Sequence, residues 1–228
     1  MSERFAAVRA RIAAAAERAG RPVESITLIA VSKLQSAASV AALADLGQCD
    51  FGENYLQEGL QKIGALQGRP LNWHFIGQLQ ANKTRTVAEH FDWVHTIDRA
   101  RIAARLNEQR PFHAAPMSVC IQVNLAGEST KGGVSPTELP DLLDTVARLP
   151  KLRLRGLMAL PPAESDEARQ RHWFAALRSL FDTARARHPQ LDTLSMGMSG
   201  DLEAAILEGA THVRIGTALF GERLQSTP

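Results

Sequence analysis

A lysine stands directly after the first predicted strand of the chain. Residues 27–31 form a short β-branched and apolar run, and Ser32 and Lys33 follow it. Only five of the 26 basic residues are lysines. An amine that is partly desolvated at the end of a strand has a lowered pKa, and the neutral amine attacks carbonyl carbons. Lys33 is therefore a candidate for Schiff-base chemistry, and a solvated or salt-bridged lysine is the alternative.

Two glycine-containing segments near the end of the sequence could bind a phosphate. Ser199 and Gly200 lie in a turn before a predicted helix, where free backbone N–H groups favour an anion. Ser199 could instead cap that helix. Gly216 and Thr217 follow another predicted strand, and they offer close backbone approach and a hydroxyl group.

Short apolar runs alternate with longer amphipathic stretches along the chain, which is typical of parallel α/β folds. Eight such units predict a (β/α)8 TIM barrel, a single domain over residues 1–228, with an extra N-terminal helix at 2–19 that Ser2 caps. A doubly wound open sheet is the alternative. The predicted strands are 27–31, 49–51, 73–76, 93–96, 117–123, 152–158, 193–195 and 212–215. The predicted helices are 36–46, 55–66, 81–90, 99–109, one that Pro136 opens, 164–188 and 201–208.

A barrel of this kind carries its site at the carboxyl ends of the strands. Polar residues stand there, since Asn54 follows the second strand and His74 lies on the third. Strand one neighbours strand eight in a closed barrel, which brings Lys33 beside the phosphate segments. An amine next to a phosphate site fits a phosphorylated aldehyde, and pyridoxal 5′-phosphate is the obvious candidate cofactor.

Six strings of the sequence, in this order, resemble the pyridoxal phosphate homeostasis protein family. They span nearly the whole chain, and together they are far more specific than any one string alone. They are AVSK at 30–33, FGENY at 51–55, HFIGQLQANK at 74–83, RGLM at 155–158, LSMGMSGD at 194–201 and VRIGTALFG at 213–221. Residues 34–36, Leu-Gln-Ser, depart from the threonine, polar residue and proline that often follow the family's lysine.

The resemblance implies a single-domain relative of the alanine racemase N-terminal barrel, with pyridoxal phosphate held as an internal aldimine and without robust catalytic turnover. The implied cofactor-binding residues are Lys33 for the aldimine, Asn54 beside the ring, Arg214 at the pyridine nitrogen, Ser199, Gly216 and Thr217 at the phosphate, and His74 and Gly200 close by. An arginine only donates hydrogen bonds, so a ring nitrogen that faces Arg214 is a poor electron sink.

Three functions remain open at this stage. The first is a binder that buffers pyridoxal phosphate and delivers it to apo-enzymes, with Lys131 either a transient acceptor or a solvated loop lysine. The second is an amino-acid racemase or decarboxylase, although such enzymes add a C-terminal β-domain for which few residues follow Gly221. The third is a cofactor-free barrel enzyme that acts on a phosphorylated metabolite.

The composition argues against several other classes of protein. The net charge of +2 is too small and scattered for a nucleic-acid or membrane-surface binder. Cys49 and Cys120 form no Cys-x-x-Cys pair, and no apolar run is long enough to cross a membrane, so we expect a cytoplasmic protein. Residues 127–133 lack the Gly-Lys-Ser/Thr order of a nucleotide loop, and the histidines lack metal-ligand spacing. We expect a monomer.

Overall fold

The computed structural model describes residues 1–128 and 131–221. Within these residues, eight parallel strands pair in chain order and close into a barrel, so the TIM-barrel prediction is confirmed and the open-sheet alternative is wrong. Closure comes from β1 pairing with both β2 and β8. The strands are β1 (Thr27–Val31), β2 (Asp50–Glu53), β3 (Asn72–Phe75), β4 (Trp93–Ile97), β5 (Met117–Val123), β6 (Leu152–Ala159), β7 (Thr193–Ser195) and β8 (His212–Ile215).

Helices surround the barrel and follow the predicted pattern, with an extra helix before the first strand. No helix within the described residues is long and apolar enough to cross a membrane. The helices are α1 (Ser2–Arg18), α2 (Ala37–Ala44), α3 (Leu56–Ala65), α4 (Thr84–His90), α5 (Ala100–Gln109), α6 (Leu139–Ala147), α7 (Glu167–Arg187), α8 (Leu202–Leu207) and α9 (Thr217–Phe220).

Two predicted helix-initiating roles are wrong, the cap at Ser2 and the opening proline at Pro136, although the predicted start of α1 at residue 2 is confirmed. Ser2 is already the first helical residue of α1, and Met1 takes the capping position without a side-chain hydrogen bond. Pro136 does not open α6, which begins at Leu139. The Ser135 and Glu138 side chains each accept a hydrogen bond from the other's backbone N–H, and this reciprocal arrangement closes a separate turn around Pro136.

The extra helix α1 supports the loop that follows β7. Its buried face, which includes Val8 and Ile12, packs against α8. From the same helix, the Arg11 guanidinium forms a two-pronged ion pair with Glu203, at 2.7 and 2.8 Å, and donates to the Ser199 carbonyl at 3.0 Å. The helix therefore fixes a segment that the sequence predicts to be functional.

Aromatic and titratable side chains fill part of the barrel interior. Three buried histidines, one on each of β3, β4 and β8, lie with ring centroids 5.2 to 6.4 Å apart beside Trp93. The Arg155 guanidinium stacks over the Trp93 ring at 4.9 Å. In the residues that the structure covers, no cluster of histidine, cysteine or carboxylate side chains is arranged to hold a metal ion. The histidines are His74, His95 and His212.

Acid is expected to destabilise this barrel through its buried histidines. Burial lowers the pKa of His212 from 6.5 to about 3, so below pH 6.5 the unfolded chain binds a proton that the folded chain excludes. The free energy of unfolding therefore decreases as the pH is lowered, and His212 accounts for about 2 kcal/mol of that loss at pH 5. Urea denaturation at pH 7.5 and pH 5.0 should show a correspondingly smaller loss in His212→Gln than in wild type. His113→Gln, which changes an exposed histidine, is the control, and equal losses in all three proteins would contradict the prediction.

Candidate functional site

A cavity of about 410 Å³ opens at the carboxyl ends of the strands, and its volume lies within the range of small-molecule sites. Apolar side chains, Val31 and Ile76 among them, form part of its wall. Seven of the eight residues that the sequence predicts for the site line this cavity: Lys33, Asn54, Ser199, Gly200, Arg214, Gly216 and Thr217. The fold thus brings β1, β2, β7 and β8 to one place.

The eighth predicted residue, His74, lies elsewhere. It is fully buried in the barrel interior and is not part of the cavity wall. Nδ1 of His74 lies 2.9 Å from the His95 ring, and Nε2 lies 3.0 Å from the Asp50 carboxylate. Both ring nitrogens of His74 therefore already have hydrogen-bond partners. Any influence of His74 on the cavity must pass through other side chains.

The backbone on both sides of Lys33 is held by helix α3. The Lys62 ammonium donates to the Ser32 carbonyl at 2.6 Å, and the Leu34 N–H donates to the Glu58 carboxylate at 2.7 Å. Leu34 has a φ of +61°, a left-handed conformation that costs a leucine energy. These two hydrogen bonds compensate the strain and fix the direction in which Lys33 leaves the strand.

A buried ion pair lies behind this arrangement. Lys62 and Glu53 contact each other at 2.7 Å with side chains only 5% and 0% exposed, and the Ser32 hydroxyl donates to the same carboxylate oxygen. Burial raises the pKa of Glu53 above its ordinary value, although the hydrogen bonds from Lys62 and Ser32 act in the opposite direction. The pair ties β2 to α3 directly beneath the loop that carries Lys33.

Asn54 lines the cavity and carries an unsatisfied polar atom. Its Oδ1 is buried and has no hydrogen-bond partner in the part of the chain that the structure describes. The Asn54 backbone lies so close to Gly77 that a Cβ at Gly77 would overlap its carbonyl oxygen. Buried polar atoms normally have partners, so Asn54 keeps an unused acceptor in a residue that lines the cavity.

Arg214 is a buried cation at the floor of the cavity, only 4% exposed. Its guanidinium donates to the Ser195 hydroxyl at 2.8 Å and to the Ala159 carbonyl at 3.0 Å, and neither acceptor is a carboxylate. Burial lowers the pKa of Arg214 to about 10, which leaves it charged at neutral pH. These two bonds use two of the five N–H donors of a guanidinium, which suits a ligand that offers an acceptor.

The loops after β7 and β8 form a further part of the cavity wall. Ser199 does not cap α8; Asp201 occupies the capping position, and its carboxylate accepts from the Met198 N–H. The N–H groups of Ser199 and Gly216 donate to no backbone carbonyl among the described residues. A Cβ at Gly216 would lie 3.3 Å from the Val31 carbonyl oxygen, so glycine suits the close contact with β1.

Comparison with known proteins identifies the family. Residues 4–224 match the family model described as alanine racemase, N-terminal domain. A protein of Pseudomonas aeruginosa named pyridoxal phosphate homeostasis protein is 55% identical over 228 residues, which are 100% of this chain and 98% of that protein. The chain belongs to the pyridoxal phosphate homeostasis protein family.

Solved structures agree with this family assignment. PipY of Synechococcus elongatus, solved with pyridoxal phosphate bound, superposes with a TM-score of 0.82 at 37% identity and covers 94% of this chain and 100% of its own. An alanine racemase of Clostridium difficile shares the fold alone, with a TM-score of 0.69 at 16% identity over 89% of this chain and 54% of the racemase.

Sequence reasoning did not find the residues that support the site from behind. Lys62, Glu53 and Glu58 act across 9 to 30 residues of chain and show no spacing that marks them. Lysine is scarce in this sequence, and this feature, which marks Lys33 as a candidate, applies to Lys62 as well. Ser195 lies within a family string, but its contact with Arg214 depends on the pairing of β7 with β8.

Removing the buried cation beneath Lys33 is expected to destabilise the protein. In Lys62→Met the Glu53 carboxylate stays buried without its partner, which should lower the free energy of unfolding by about 3 to 5 kcal/mol. The double variant Lys62→Met/Glu53→Gln should recover part of that loss, because the neutral amide has no uncompensated charge. Urea denaturation measures both, with Lys83→Met as an exposed-lysine control. A loss below about 1 kcal/mol in Lys62→Met would contradict this account of the ion pair.

Proposed function

We propose that this protein binds pyridoxal 5′-phosphate through Lys33 and helps to maintain the intracellular supply of the cofactor. The observation that carries the proposal is the convergence of Lys33, Arg214 and Asn54 on one cavity, together with an Asn54 Oδ1 that has no partner among the described residues. Two findings on relatives support it. PipY was solved with pyridoxal phosphate bound, and the Pseudomonas relative is named for the homeostasis of this cofactor.

The residues of the cavity fit the chemistry of this cofactor. The Lys33 amine would attack the aldehyde carbon, and water would leave as the carbon–nitrogen double bond of a Schiff base forms. Arg214 would donate a hydrogen bond to the pyridine nitrogen. Asn54 would lie beside the ring, and the residues that would hold the phosphate are Ser199, Gly216 and Thr217, with Gly200 adjacent to them.

The same arrangement favours binding over catalysis. Arg214 donates but does not give up its proton at neutral pH, so the ring nitrogen would stay unprotonated and withdraw electrons weakly. Tyr55, the one tyrosine of the sequence, is 52% exposed at the start of α3 and does not line the cavity. We therefore propose a non-catalytic carrier in the cytoplasm, acting as a monomer, which passes the cofactor to apo-enzymes.

Substitution of the lysine should remove the covalent step. On addition of pyridoxal phosphate, the wild-type protein should develop the absorption band of a protonated Schiff base. Lys33→Ala should develop none, because no other lysine among the described residues lines the cavity. Lys83→Ala, which removes an exposed lysine, should keep the band. A band of wild-type intensity in Lys33→Ala would contradict the assignment of the lysine.

The phosphate contacts should control affinity more than absorbance. Ser199→Ala and Thr217→Val each remove a hydroxyl that would donate to a charged group, a loss of about 1.5 to 3 kcal/mol that corresponds to roughly ten- to a hundredfold in Kd. The position of the absorption band should stay constant, because the phosphate is remote from the imine. Titration with pyridoxal phosphate gives both quantities. Unchanged Kd in both variants would contradict this location of the phosphate.

Delivery is tested with a recipient enzyme. The loaded protein, mixed with an apo-enzyme that needs pyridoxal phosphate, should restore its activity, whereas added L-alanine should be racemised negligibly. Lys131, whose ammonium pairs with Glu128 at 2.9 Å, is either a transient acceptor or a solvated loop lysine. A role as acceptor requires that Lys131→Ala transfer severalfold more slowly than Lys83→Ala. Vigorous racemisation would favour the racemase alternative. Failure to activate the apo-enzyme would contradict delivery, and an unchanged rate in Lys131→Ala would remove this lysine from it.

A further inference from the structure

A chain of hydrogen bonds crosses the barrel interior from the cavity to its opposite end. The Arg214 guanidinium donates to the Ser195 hydroxyl at 2.8 Å, and that hydroxyl lies 2.8 Å from Nδ1 of His95. Nε2 of His95 lies 2.9 Å from Nδ1 of His74, and Nε2 of His74 lies 3.0 Å from the Asp50 carboxylate. Arg214, Ser195 and both histidines are buried, whereas the Asp50 side chain is 24% exposed.

With both histidines neutral, the two ends of this chain leave only one direction for the hydrogen bonds. A guanidinium only donates, and a carboxylate only accepts. Burial alone would raise the pKa of Asp50, but the hydrogen bond from His74 lowers it below the ordinary value, so Asp50 is ionised at neutral pH. Nε2 of His74 must therefore carry a hydrogen, and in a neutral His74 the Nδ1 atom accepts from Nε2 of His95.

The same reasoning continues to the cavity. A neutral His95 that donates from Nε2 accepts at Nδ1, and the acceptor site is filled by the Ser195 hydroxyl hydrogen. The Ser195 oxygen is then free to accept from Arg214. A protonated His74 would reverse the sequence, and the Ser195 oxygen would receive two donors while its own hydrogen lacked an acceptor among the described residues. A positive His95 is also disfavoured, since burial and then the neighbouring His74, His212 and Arg214 hold its pKa well below the ordinary value.

We propose that Ser195, His95 and His74 are positioning residues: they form a one-way hydrogen-bond chain, anchored on Asp50, that orients Arg214 toward the cofactor ring. This inference rests on the proposed binding of pyridoxal phosphate. Each hydroxyl or imidazole in the chain gives its hydrogen away from the cavity, which makes it a better acceptor on the side of Arg214. The chain thus offers the guanidinium a neutral acceptor. The positive charge of Arg214 therefore stays available to the ring nitrogen.

The direction of the chain is tested on the protein without cofactor. Nitrogen-15 NMR of histidine-labelled protein at neutral pH should report both His95 and His74 as neutral tautomers with the hydrogen on Nε2. Single His→Gln variants assign the signals. A hydrogen on Nδ1 of His95, or a charged His74, would overturn the proposed direction. This readout does not depend on whether pyridoxal phosphate binds.

The positioning role is tested by titration with pyridoxal phosphate. Ser195→Ala and His95→Leu break the chain and should weaken binding about tenfold, as expected for a lost hydrogen bond to a charged group, and should shift the absorption band of the bound form. His95→Gln, which accepts and donates at similar positions, should restore both properties. His113→Leu, an exposed histidine, is the control.

The outcomes separate this inference from the proposed function. If the wild-type protein binds no pyridoxal phosphate, the proposed function fails, and the NMR tautomers alone then test the direction of the hydrogen-bond chain. If wild type binds but Ser195→Ala keeps its affinity and band, the positioning role is overturned. Circular dichroism checks the fold of each variant, and Ser195→Ala, which removes one oxygen atom, decides the question if His95→Leu does not fold.

Discussion

The pairing of β1 with β8 is the constraint on which the site depends. It sets Ile29 opposite Arg214 and Ala30 opposite Ile215, and so closes the barrel. Lys33, three residues beyond Ala30, then emerges beside Gly216 and Thr217, although more than 180 residues of sequence separate them. A β-strand alternates its side chains, so a shift of one residue would turn Arg214 out of the interior. The Lys33 amine, the Arg214 guanidinium and the loops that carry Ser199 and Thr217 come together only in the observed register.

Support for this site comes from two polar systems on opposite sides of the strands. Outside the barrel, Lys62 and Glu53 join β2 to α3 and hold the backbone next to Lys33. Inside, buried histidines replace the branched aliphatic side chains that commonly fill such barrels, and hydrogen bonds link two of them through Ser195 to Arg214. Buried polar groups are costly unless they are hydrogen-bonded, and both systems meet that requirement almost completely. The orphaned exception within these systems is Glu53 Oε2, and Asn54 Oδ1, which belongs to neither system, is also without a partner among the described residues.

The sequence predicts the architecture better than it predicts the connections between elements. Strands β1, β5, β7 and β8 have the predicted bounds because short runs rich in β-branched and apolar residues mark strands. The cap at Ser2 is wrong because Met1 holds the capping position, and Pro136 lies in a separate turn before α6 that the local pattern does not distinguish from a helix start. The seven cavity residues follow strands or family strings, whereas the contact of Lys62 with the Ser32 carbonyl depends on how α3 packs, which no local pattern encodes.

The central claim is that Lys33 is the residue that carries pyridoxal phosphate. The most direct measurement is borohydride reduction of the loaded wild-type protein, followed by digestion and mass spectrometry of every lysine-containing peptide. Reduction converts a Schiff base into a stable secondary amine, so the lysine that held the cofactor keeps the pyridoxyl group. The account predicts that group on Lys33. A pyridoxyl group on another lysine with Lys33 unmodified, or on no lysine, would contradict it.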